Sequence, residues 1–200
     1  MREIIEKVEA QVKEILSNEA TGHDWYHIAQ VRDMALCIAA KEGGDTEMIE
    51  LAALVHDVGD HKFYASHEEG EKATLAVLEA AGVPQDMTEK IMLIVNAVSF
   101  SGGKVPESLE GKVVQDADRM FALGAIGVAR AFAYGGKKGR MIHDPALSRE
   151  APTTINHFYE KLLCLKDMMN TKTGREIATE RHAYLEGFLK QFYAEWNGAL

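Results

Sequence analysis

Apolar residues recur at three- and four-residue spacing along almost the whole chain, as in Ile4, Val8, Val12 and Ile15 and again in Val31, Met34, Ala35 and Ile38. That is the period of a helix with one buried stripe, and no stretch of strand length alternates apolar with polar residues. The pattern predicts an all-α fold. Gly, Pro, Ser and Asn interrupt the periodicity at 17–22, 43–44, 59–66, 82–84, 99–106, 134–152 and 170–174, which leaves about eight or nine helices. No internal repeat or low-complexity tract is present. The longest non-periodic stretch, Gly135 to Pro145, is locally basic and longer than an ordinary helix connection.

A chain of 200 residues with 46% hydrophobic content and a mean hydropathy of −0.18 suits one well-buried domain, a helical bundle spanning 1–200. Its centre is expected at about 20–135, with C-terminal helices at about 152–197 packing on it. A net charge of −9 and a pI near 5.4 argue against a binder of nucleic-acid polymers, which needs a basic face. Cys37 and Cys164 are isolated thiols in apolar helical contexts and read as core residues of a reducing compartment. The N-terminus alternates charged and apolar residues unlike a signal peptide, and no apolar run is long enough to span a bilayer. The expectation is a cytoplasmic protein with no membrane partner, whose extended apolar helix faces would also serve a homodimer.

The dipeptide His-Asp occurs at 23–24, 56–57 and 143–144, and context separates the three. Asp24 follows Gly22 where a helix opens, an ordinary place for a carboxylate, and His143-Asp144 precedes Pro145 in a loop. His56-Asp57 instead lies in the apolar run Leu51 to Asp60. His27 shares a stripe with Val31, Met34, Ala35 and Ile38; Asp118 falls four residues after Val114 and three before Phe121, while Asp116 falls off that stripe. A satisfied core histidine, and a buried Asp118 paired with Arg119, are the plain alternatives. Three inward-pointing polar sites share one economical explanation, because a divalent cation satisfies two imidazoles and two carboxylates at once. The mixed shell of His27, His56, Asp57 and Asp118 suits Mn²⁺, Fe²⁺, Co²⁺, Ni²⁺ or Zn²⁺ better than Mg²⁺. Such an ion polarises a phosphoryl oxygen and makes water a nucleophile near neutral pH, which points to hydrolysis of phosphate esters or anhydrides.

The order His, His-Asp, Asp resembles the signature of the HD-domain metal-dependent phosphohydrolases, an all-α superfamily. Gly22 to His27, His56 to Asp60, Gln115 to Arg119, Gly124 to Arg130 with Phe132 to Gly136, and Phe158 to Leu163 with Met168 to Thr171 sharpen it to the bacterial YpgQ/YedJ-type branch. The resemblance covers nearly the whole chain. It implies Mn²⁺-dependent hydrolysis of (deoxy)nucleoside triphosphates to monophosphate and pyrophosphate. Phe121 departs from the carboxylate expected there in many relatives. With only His61 and His67 between the HD pair and the last Asp, the resemblance implies one metal ion. The alternatives are a phosphatase on nucleoside monophosphates or a ppGpp hydrolase, since the metal set alone does not select the bond cleaved. A non-catalytic nucleotide-sensing module is a further one, against which four intact ligand positions argue.

Asp60 stands one helical turn after His56 on the same face, within reach of a metal-bound water as a general base or to hold its proton. It also matches the first carboxylate of the motif in HD-type ppGpp hydrolases; a solvated helix-end Asp is the alternative. Lys62 is the candidate phosphate contact in the polar segment that follows, and His67-Glu68 reads as a helix start. A polyphosphate needs local positive charge, for which Arg119, Lys137, Lys138, Arg140, Lys161, Lys166 and Arg181 are the candidates. Lys137 to Arg140 lacks the strand-then-helix context of a phosphate-binding loop.

Overall fold

The computed structural model describes residues 1–17, 24–60, 63–98, 105–147 and 151–199. Nine α-helices run through them: α1 (Arg2–Ile15), α2 (Trp25–Glu42), α3 (Thr46–Val55), α4 (His67–Ala81), α5 (Gln85–Val98), α6 (Leu109–Met120), α7 (Gly124–Lys137), α8 (Thr154–Glu160) and α9 (Lys172–Trp196). A 3-10 helix, Leu162–Met168, follows α8. No strand occurs among the described residues, and none of their helices is long and apolar enough to cross a membrane. The all-α reading is therefore correct.

The chain forms two compact units, Met1–Asp118 and Arg119–Leu200. In the first, α3 is central, packing on α1, α2 and α5, while α4 packs on α1 and α5. Its Ile49, Leu51, Ala52, Ala53, Leu54 and Val55 are all fully buried, which is why this segment reads as a continuous apolar run. The helix starts follow their capping residues. Asp45 accepts from the amides of Glu47 and Met48, and Ser66 from that of Glu69, so His67-Glu68 does start a helix. Glu110 at the start of α6 accepts from the Asp45 amide (3.1 Å), which ties α6 to the entry of α3. In the second unit α7 packs on α8 and α9, and α8 and α9 pack on the 3-10 helix. Arg181 of α9 donates to the Met120 carbonyl (2.8 Å), lies over the Phe121 ring at 5.4 Å, and packs on Gly124, whose φ of +69° suits glycine.

Three expectations need correction. Cys37 and Cys164 are both exposed. Cys37 lies two residues from buried Ala35, which turns it away from the core, and Cys164 lies between Leu162 and Leu165, the positions a three-residue period buries. Second, α7 continues through Gly135 and Gly136 to Lys137; Gly135 marks a close approach to the Thr154 side chain, with no room for a Cβ, rather than a helix end. Third, α3 ends at Val55 and residues 56–59 form a turn, so His56 is the C-terminal cap of the helix rather than part of its interior.

Candidate metal centre

The side chains of His27, His56, Asp57 and Asp118 converge within the first unit. They arrive on three separately fixed pieces of backbone, His56 and Asp57 sharing one. Asp24 accepts a hydrogen bond from the amide of His27 (3.0 Å), so the carboxylate of the first His-Asp pair caps the helix that carries the imidazole. His56 Nδ1 lies 2.7 Å from the Ala53 carbonyl. A carbonyl only accepts, so Nδ1 donates, and in the neutral ring the lone pair is left on Nε2. Asp118 lies in the last turn of α6, whose start Glu110 ties to the entry of α3.

Both Nε2 atoms face the carboxylates. His27 Nε2 lies 3.6 Å from Asp57 Oδ2 and 3.3 Å from Asp118 Oδ1, and His56 Nε2 lies 3.5 Å and 3.8 Å from the same two oxygens. Ligands about 2.1 Å from one ion sit about 3.0 Å apart at right angles and about 3.4 Å apart in a tetrahedron. The observed spacings are a few tenths of an ångström from closing on a single centre, and His27, His56 and Asp118 meet the separation expected of metal ligands. The imidazoles form the floor, with side chains 3% and 2% exposed; the carboxylates of Asp57 and Asp118, at 14% and 29%, form the open side. Burial pushes the Asp118 carboxyl up, but the adjacent His27 and His56 rings outweigh it and hold its pKa below the ordinary aspartate value. Two carboxylates against two buried rings form a donor set that a divalent cation balances.

The turn from His56 to Asp60 is held against α4 by a bare backbone contact. A Cβ at Gly59 would lie 2.5 Å from the Gly70 carbonyl oxygen, and one at Gly70 would overlap the Gly59 carbonyl oxygen. Sequence reading missed this pair, because a contact between two glycines eleven positions apart leaves no periodic trace.

Asp60 is half-buried just past the turn, its amide bonded to the Asp57 carbonyl (3.2 Å). That turn, rather than a continued helix, sets its place. Lys62 and His61 lie outside the described residues. Asp116, off the apolar stripe, is nonetheless fully buried, because Val113 to Ala117 are buried all round α6.

The remaining basic candidates belong to the second unit. Arg119 is buried and donates to the Met168 carbonyl. Lys138 Nζ and the Arg140 guanidinium both lie over the Tyr134 ring, at 5.8 Å and 5.5 Å. Lys137 is exposed; Lys161 and Lys166 are half-buried. The two units differ sharply in charge. Residues 1–118 carry 10 Lys+Arg against 23 Asp+Glu, and residues 119–200 carry 12 against 8, a net −13 against +4.

Residues 24–123 match the HD domain model, a span that takes in all four converging side chains. The chain belongs to the HD domain family. Over 197 residues it is 41% identical to the uncharacterized protein YpgQ of Bacillus subtilis, covering 96% of this chain and 94% of that one. Among solved structures, an HD-superfamily hydrolase from Bacillus thuringiensis superposes with a TM-score of 0.83 at 47% identity, covering 98% of both chains. Bacillus subtilis YpgQ in complex with ADP superposes with a TM-score of 0.82 at 36% identity, covering 96% of this chain and 94% of that one. Divalent metal binding is a property of HD domains, and His27, His56 and Asp118 are positioned for it.

Proposed function

We propose that this protein is a metal-dependent phosphohydrolase that cleaves (deoxy)nucleoside triphosphates to the monophosphate and pyrophosphate. The observation that carries the reading is the convergence of two imidazole nitrogens and two carboxylate oxygens at 3.3–3.8 Å. In this reading His27, His56, Asp57 and Asp118 hold one divalent ion, Mn²⁺ being the choice of the family branch that the sequence resembles. When bound, the ion supplies Lewis-acid polarisation of a phosphoryl oxygen and activation of water.

The chain's own residues do the rest. The Ala53 carbonyl accepts from Nδ1 of His56 and so holds the ring in the tautomer that offers Nε2. The Asp60 carboxylate accepts the proton as water oxygen bonds to the α-phosphorus and the bridging oxygen to the β-phosphorus leaves with pyrophosphate. Lys62, Arg119, Lys137, Lys138, Arg140, Lys161, Lys166 and Arg181 are the proposed contacts to the remaining phosphates, and the net positive charge of residues 119–200 supports that role. The ADP complex of the YpgQ relative supports a nucleotide ligand.

The deciding experiment is turnover of the purified protein with Mn²⁺ on nucleoside triphosphates, nucleoside monophosphates and ppGpp, with pyrophosphate and orthophosphate scored separately. Pyrophosphate from triphosphates is the expected result. Orthophosphate from monophosphates, pyrophosphate from ppGpp alone, or no turnover by protein with metal bound would each overturn the reading.

A further inference from the structure

We propose that the groove between α4 and α5 docks a cationic amphipathic helix of a partner protein. The groove has a volume of about 490 Å³, and its lining includes Leu75, Val83, Met92 and Leu93 together with Glu79 and Glu89. Leu93 is 72% exposed. It does not belong to the stripe that α5 buries in its own unit, which is Thr88, Ile91, Ile94 and Val98. Gln85, Glu89, Met92, Leu93 and Asn96 form a second stripe at helical spacing. From Gln85 to Asn96 it runs about 16 Å at 1.5 Å per residue, the length of a three-turn helix.

The groove is built rather than loose. At one end Gly82 caps α4 in the left-handed conformation, with its amide on the Glu79 carbonyl (3.0 Å) and the Val83 amide on the Leu78 carbonyl (3.0 Å). Near the other end Asn96 Nδ2 donates to Glu71 across the two helices (2.6 Å).

Charge selects the occupant. No Lys or Arg lines the groove, and the nearby cations Lys72 and Lys90 are held by Glu68 and Asp86. Among the described residues Glu79 has no ion-pair partner and Glu89 accepts only the Gln85 side-chain amide. Within a unit of net charge −13, this apolar strip favours a helix with apolar residues at i, i+3, i+4 and i+7 flanked by Lys or Arg. A second copy of so acidic a unit would meet like charge there.

The test uses a capped, labelled 14-residue Leu/Lys peptide with leucines at that spacing, and a peptide of the same composition with the leucines spread round the helix. Anisotropy should show the patterned peptide bound, weakening as salt rises and at least tenfold weaker to Leu93→Arg and to the Glu79→Lys/Glu89→Lys double variant. Metal affinity and helical circular dichroism should be unchanged in both variants. Equal binding of the two peptides, or unchanged affinity in the variants, overturns the proposal. So does a wild-type dimer in sedimentation that Leu93→Arg dissolves, since the groove would then belong to a second copy.

Discussion

Gly70→Ala sets two effects of opposite sign against each other. Inside a helix, alanine is favoured over glycine by about 0.8–1.0 kcal/mol, so propensity alone makes the variant more stable. At Gly70, however, the new methyl overlaps the Gly59 carbonyl oxygen, with Gly59 C at 3.0 Å and Cα at 3.2 Å. The reciprocal methyl at Gly59 lies 2.5 Å from Gly70 O and 2.8 Å from Gly70 C, whereas real Cβ atoms essentially never come within 3.0 Å of such atoms. The two segments must therefore separate by at least about half an ångström, since neither side of the contact is a side chain that can swing away. Overpacking of this kind costs about 1–3 kcal/mol, which outweighs the propensity gain.

The same shift moves the turn carrying His56 and Asp57. Metal-ligand distances tolerate only about 0.2 Å, so metal affinity should fall about 10–100-fold, the scale seen when supporting groups around a metal site are lost. Gly187→Ala on α9 is the control, since a Cβ there meets nothing within 4 Å; it should be stabilised by about 0.8–1.0 kcal/mol with metal affinity unchanged. Urea unfolding of the metal-free proteins and calorimetric Mn²⁺ titration read the two effects separately. If Gly70→Ala behaves like Gly187→Ala in both, the glycine contact does not position the site.

Asp57→Ala should lose bound metal and turnover together, while Asp60→Ala should keep the metal and lose turnover; unchanged metal content in the Asp57 variant refutes its assignment as a ligand. Mn²⁺ at a hundred times its Kd should stabilise the wild type by about 2.7 kcal/mol, and the urea midpoint of Asp118→Ala should not respond to it. His157 has a pKa lowered to about 4 by burial and then by the charges of Lys161 and Arg140. Its folded pKa lies below the unfolded value near 6.5, so its contribution is complete above about pH 6.5 and is lost as pH falls towards 4. The full shift corresponds to about 3 kcal/mol, reduced to about 1–2 by solvent around a half-buried ring. Urea midpoints of His157→Asn across that range should fall less steeply than those of the wild type, and parallel curves would refute the assignment.

The converging side chains were legible because apolar neighbours made them conspicuous. His27 stood on the stripe of Val31, Ala35 and Ile38, and His56-Asp57 ended the run that α3 buries on every side. Periodicity carried less where a helix is buried all round or stops early. It separated Asp118 from Asp116 on α6, yet Asp116 is the more deeply buried of the two. It carried α3 as far as the break at Gly59, although the helix gives way to a turn at His56. Period and composition describe one segment at a time, so the Gly59–Gly70 contact and the Arg181 bond to the Met120 carbonyl required the folded chain.

Charge follows the same logic on a larger scale. Net charge alone argued for local rather than global attraction of a polyanion, and the folded chain shows how local it is. The excess of acid is confined to residues 1–118, which hold the carboxylates of the metal centre, while residues 119–200 are net positive. An acidic unit repels a polyphosphate except where a divalent ion inverts its sign, since Asp57 and Asp118 leave the open side of the centre negative without one. Under the proposed function, metal binding would be a condition for substrate approach as well as for chemistry, and a polyanion would need no basic surface overall to be met.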